Sequence, residues 1–123
     1  MKLRKVLFSG LLILAVSALV LAADVTGTWT AAIDTQIGEQ NYTYTFKVEG
    51  EKLTGKAKSQ YGETDLTEGV VKGDDISFVE NLTFEGMLLK ITYKGKIAGD
   101  EIKFTRNVAD IADEPFVAKR SKK

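Results

Sequence analysis

The sequence predicts an all-β fold, an eight-stranded antiparallel up-and-down barrel preceded by an N-terminal signal peptide helix. Three observations carry this. Beyond residue 23 apolar side chains recur at every second position, the period of a strand, and no stretch keeps a helical period. The alternating runs number eight, separated by short connections in which glycine is frequent. In the clearest stretch, Asp74 to Arg106, Ile76, Phe78, Leu82 and Phe84 share one phase. Met87, Leu89, Ile91, Tyr93 and Ile97 share the next, and Ile102 and Phe104 the third. Joined by Glu85-Gly86 and Gly99-Asp100, these runs form a meander with one dry face. Closing the sheet on itself covers that face and removes the exposed edges. An open sandwich is the structural alternative.

Residues 1–23 read as a signal peptide. Lys2, Arg4 and Lys5 precede an apolar run, Val6 to Leu21, broken only by Ser9, Gly10 and Ser17, and Ala22-Ala23 offers small residues for cleavage before Asp24. The run falls short of the ~20 apolar residues that a spanning helix needs, and no cysteine follows it for lipid attachment. Residues 24–123 are then one secreted or periplasmic barrel domain, with no stable membrane insertion after leader cleavage. The whole chain balances 17 basic against 17 acidic residues, but three of the bases lie in the leader, leaving the rest at about −3. That charge points away from nucleic acid and anionic membrane surfaces as partners. There is no cysteine and no histidine. Disulfides, catalytic triads, zinc sites and histidine-ligated haem are therefore excluded. The expectation is a protein that is not an enzyme, with no cofactor, no metal and no catalytic residue.

In order, the first strand spans Thr26 to Asp34, with Gly27, Trp29, Ala31 and Ile33 inward, and a polar loop runs from Asp34 to Gln40. The second strand sets Tyr42, Tyr44, Phe46 and Val48 against polar residues, and Gly50-Glu51 turns the chain into a third with Leu53, Gly55 and Ala57 inward. A loop from Ser59 to Glu63 precedes the fourth, about 64–72, whose phase is divided: Leu66 agrees with Val70, and Gly69 with Val71. A bulge near Gly69 reconciles them. After the meander, a loop from Asn107 to Glu114 leads to Pro115 and a last strand with Phe116, Ala118 and Arg120 in phase.

Gly27-Thr28-Trp29 at the start of the first strand and Arg120 at the end of the last resemble the calycin signature of lipocalin-like and avidin-like barrels. Leu53-Thr54-Gly55 is similar to an early avidin strand. The resemblance implies a barrel in which Arg120 lies over Trp29, with a ligand inside. Trp29 is the only tryptophan, so the aromatic walls of an avidin biotin site are missing, as are lipocalin disulfides.

Two charges fall on the inward phase, Glu80 and Arg106. The two-residue turns pair Phe78 with Tyr93, Glu80 with Ile91, Tyr93 with Arg106 and Ile91 with Val108. Glu80 and Arg106 should therefore meet inside with Tyr93 alongside. A buried ion pair is rarely a stability device. As a polar anchor it would hold a ligand head group, with Phe78 and Tyr44 completing the binding set. Two other readings are an internal pair that fixes register, and a bulge near Asn81 that turns Glu80 outward. Nine aromatic residues on inward phases leave room for only a small cavity near one end. That end should be the one with the longer loops, where Asp34, Glu39, Glu63, Glu85, Asp110, Asp113 and Glu114 form an acidic rim with Ile37, Tyr61 and Ile111. The expected function is binding of a small apolar or amphipathic molecule. The alternative is a protein-interaction module, such as an inhibitor of an exported enzyme, acting through the acidic loop end. Acid–base chemistry by Glu80 beside Tyr93 stands behind both.

Overall fold

The computed structural model describes residues 23–121, so the leader expected over 1–23 lies, but for Ala23, outside the described residues. The strands are β1 (Gly27–Thr35), β2 (Gly38–Glu49), β3 (Lys52–Ser59), β4 (Gly62–Lys72), β5 (Asp75–Phe84), β6 (Met87–Ala98), β7 (Glu101–Val108) and β8 (Ala112–Arg120). Each pairs antiparallel with the next, and β8 returns to β1 to close the barrel. Alternation along each strand puts one side chain in two inside, so the apolar phases line a common core. The lysines at 52, 56, 58, 90, 94, 96 and 103 face solvent. Phe78 faces Tyr93, Glu80 faces Ile91, Tyr93 faces Arg106 and Ile91 faces Val108, the register that the tight turns impose.

The connections expected to be long are short. Asp34 pairs with Glu39 and Thr35 with Gly38, so the first turn is only Gln36-Ile37. Lys58 pairs with Glu63 and Ser59 with Gly62, leaving Gln60-Tyr61 as the third. The last turn is Ala109-Asp110-Ile111. A main-chain ladder continues through polar side chains as readily as apolar ones, which is why polarity alone misplaced these ends. Gln36-Ile37-Gly38 and Gln60-Tyr61-Gly62 share one design, with glycine at φ 104° and 118° completing the reversal. Glu114, expected in a loop, is a buried member of β8.

The divided phase of β4 resolves at an irregularity between Thr67 and Val70, where Glu68 adopts φ 54°. Leu66 and Val71 are buried, and Val70, expected to share Leu66's side, is exposed. Met87, expected inward, is 63% exposed, because at the start of β6 it stands on the rim of the barrel end.

The opposite end is sealed by the segment before β1. Val25 is fully buried there, its carbonyl accepts from Trp29 Nε1 at 2.9 Å, and Ala23 N–H donates to Gly73 O at 3.0 Å. The Arg120 guanidinium lies 4.5 Å from the Trp29 ring centroid. It also donates to the carbonyls of Thr26 and Asp24 and to Asp100 Oδ1. One arginine thus ties the last strand to the first where their ladder is short, registered only at Trp29–Arg120 and Thr30–Lys119.

Gly55 marks the tightest passage in the wall: a Cβ there would run into the Thr45 carbonyl oxygen on the paired strand. Gly55→Ala is expected to cost about 3 kcal/mol, lowering Tm by about 10–20 °C in a domain of this size. Thermal unfolding followed by circular dichroism checks this.

Candidate functional site

The inward side chains form layers along the barrel axis. Nearest the sealed end are Val25, Trp29 and Phe46, the two rings 6.4 Å apart. Next comes an aromatic layer. Phe78 stacks on Tyr93 at 4.3 Å, Tyr44 meets Tyr93 edge-on at 5.7 Å, and Phe104 stacks with Phe116 at 5.2 Å. These rings fill the lower barrel.

A polar layer lies above them. Tyr93 Oη donates to Glu80 Oε1 at 2.7 Å and accepts from Arg106 Nη1 and from Tyr44 Oη, each at 2.9 Å. A phenolic hydroxyl has one proton and two acceptor positions, and all three are used. Glu80 Oε2 accepts from Thr64 Oγ1 at 3.3 Å and Tyr42 Oη at 3.4 Å. Glu80 and Arg106 approach only to 4.0 Å, joined by the tyrosine between them. The direct partner of Arg106 is Glu114, whose Oε1 accepts from Nε at 2.7 Å. Arg106 also lies over the Tyr42 ring, 4.9 Å from its centroid. The β5–β6 ladder runs unbroken through Asn81, and Glu80 stays inside, 1% exposed.

Burial sets the protonation states. It pushes the Glu80 carboxyl above its ordinary 4.5, against the opposing pull of the Tyr93 hydrogen bond and the Arg106 charge. It drives Tyr44 and Tyr93 well above the ordinary 10.0, so both remain neutral hydroxyls. Desolvation opposes the charge of Arg106 too, but the oxygens of Tyr93 and Tyr42 outweigh it and the guanidinium stays cationic.

Above the polar layer the barrel opens into a cup of about 180 Å³. Leu82, Leu89, Ile91 and Val108 contribute apolar wall, while Gln40, Tyr42, Arg106 and Glu114 bring polar groups to it. The turn residues Ile37, Tyr61 and Ile111 border the mouth, where Tyr61 meets Phe84 edge-on at 5.3 Å.

The predicted binding set is therefore brought together unevenly. Glu80, Tyr93 and Arg106 form one network; Phe78 and Tyr44 lie in the aromatic layer beside it. Of the five, only Arg106 lines the cup. Gly27, Trp29 and Arg120 stand at the sealed end and shape the barrel rather than the cup. Three participants were not anticipated as site residues, Gln40, Tyr42 and Thr64, and a fourth, Glu114, expected on the exposed acidic rim, is buried against Arg106 instead. Gln40 continues the phase of Tyr42, Tyr44 and Phe46, and Glu114 that of Phe116 and Ala118, so strict extension of the two-residue period finds both. Among the described residues no group of three or more histidine, cysteine, aspartate or glutamate side chains could hold a metal ion.

These observations define, among the described residues, a closed eight-stranded antiparallel barrel with a filled base and an open cup at the other end. Comparison with protein-family models, curated proteins and solved structures finds no match for the chain.

Two outcomes follow from the network. Tyr93→Phe leaves Glu80 Oε1, Arg106 Nη1 and Tyr44 Oη short of a partner and is expected to cost about 3 kcal/mol, whereas Tyr44→Phe removes a single bond and costs about 1 kcal/mol. Urea unfolding of both variants checks the ratio. Glu80 binds its proton more tightly folded than unfolded. As pH rises past 4.5 the unfolded chain releases its proton first, so this contribution to stability falls up to the folded pKa and is flat above it. Melting temperatures across pH 4 to 8 are expected to show the wild type losing ground to Glu80→Gln over that window.

Proposed function

We propose that the chain is an exported, lipocalin-like binding protein whose cup takes one small amphipathic molecule. The observation that carries this is a cup with apolar walls and a buried guanidinium at its floor, above a base filled by rings. Ligand sites are typically apolar concavities with a few fixed polar groups that orient the occupant. The volume sets the scale: a cavity of ~150 Å³ admits benzene, so the cup suits a ring or a short branched chain, with anything longer trailing out of the mouth. Arg120 over Trp29 behind Gly27 supports the lipocalin-like reading, and the apolar leader supports export. Glu80 and Tyr93 make their hydrogen bonds within the protein and do not line the cup. That supports binding over acid–base catalysis.

A second reading, a protein-interaction module, is favoured by the rim. Exposed Ile37, Tyr61, Met87, Leu88 and Ile111 all belong to turns or strand starts at the open end. Asp34, Glu39, Glu63, Glu85, Asp110 and Asp113 are exposed around them, and the turns hold no lysine or arginine. A partner with an apolar knob ringed by bases would fit this end.

Native mass spectrometry of protein purified from its own compartment separates the two, by a co-purifying small molecule or a partner chain. Leu89→Trp, which fills the cup, is expected to abolish small-molecule retention while leaving Tm within a few degrees. Retention at the wild-type level would place the ligand elsewhere. Leu88→Lys, at an exposed rim position outside the cup lining, is the converse probe, removing partner capture and sparing the cup.

A further inference from the structure

We propose that the cup selects molecules whose head group donates hydrogen bonds and carries no negative charge, an alcohol or an amine rather than a carboxylate. This rests on the reading of the cup as a ligand site. The starting point is Gln40, 5% exposed and part of the cup lining, whose Oε1 is buried with no hydrogen-bond partner among the described residues. An unpaired buried amide oxygen is costly, and a donor entering the cup would relieve it. Glu114 uses Oε1 on Arg106, leaving Oε2 as a further acceptor at the same floor. A hydroxyl, which both donates and accepts, serves Gln40 in either orientation of its amide.

Charge points the same way. One cation, Arg106, answers two carboxylates, Glu114 at 2.7 Å and Glu80 at 4.0 Å. Arg106 already answers Glu114 through Nε and Tyr93 through Nη1, so a ligand carboxylate would compete for a cation whose charge is largely met and would add a further negative group beside Glu114. The exposed acids of the rim raise the barrier to an anion further. With about 180 Å³ available, the head group and a single ring fill the cup.

The test is calorimetric titration of the barrel at pH 7 with 2-phenylethanol, 2-phenylethylamine, phenylacetate and ethylbenzene, on wild type, Gln40→Leu and Glu114→Gln. The alcohol and the amine are expected to bind at least about tenfold more tightly than phenylacetate. Gln40→Leu should weaken both about five- to tenfold without weakening ethylbenzene. Glu114→Gln, which frees Arg106, should narrow the gap to phenylacetate. Phenylacetate binding as well as the alcohol in wild type, or affinities indifferent to Gln40→Leu, would overturn the selectivity while leaving the cup a ligand site. Should Gln40→Leu fail to fold, an unchanged phenylacetate gap in Glu114→Gln would overturn it equally. Binding of none of the four probes would remove the ligand reading itself.

Discussion

The structure turns on the hydroxyl of Tyr93. It is the one atom that touches Glu80, Arg106 and Tyr44 together, and each of these comes from a different strand. A carboxylate and a guanidinium placed inside a ring-filled barrel must each be satisfied, or burial costs far more than their attraction returns. Tyr93 satisfies part of both and uses its full bonding capacity in doing so. The network therefore specifies the relative placement of β2, β5, β6 and β7 more sharply than interchangeable apolar contacts would. It is also where the barrel changes character, from rings that fill space to a floor with free polar capacity.

The two halves of the interior follow from which residues share a level. Below the network, Phe46, Phe78, Phe104 and Phe116 come from different strands and tile the cross-section. Above it the inward positions are mostly aliphatic, Leu82, Leu89, Ile91 and Val108, and these line the space without filling it. Val25 and the Arg120 clasp close the far end. The asymmetry is thus one of side-chain volume and of a short preceding segment, on a wall that is uniform in its backbone.

Much of this was legible in the sequence. Period-two alternation fixes the number of strands, and the two-residue turns at Glu85-Gly86 and Gly99-Asp100 fix the register that brings Glu80, Tyr93 and Arg106 together. The bulge in β4 was visible as a conflict between Leu66 and Val71. What stayed hidden at the cup shares one cause. Gln40 and Glu114 are polar residues at strand ends, where composition reads as loop although the ladder persists. Their misplacement concealed the nearest partner of Arg106 and the polar floor of the cup. The sealing role of Val25 was equally out of reach, because a segment that crosses the end of a barrel has no period to betray it.

Both ends of the described chain emerge at one pole: Ala23 is held by Gly73, and Ser121 N–H donates to the Thr28 carbonyl at 2.8 Å. The cup opens at the other. Whatever is attached ahead of Ala23 or behind Ser121, a tether, a neighbouring domain or a surface to which the chain is moored, would hold the barrel by its base with the opening turned away. Fluorophores or immobilising tags joined directly ahead of Ala23 or directly behind Ser121 would start from the pole opposite the opening.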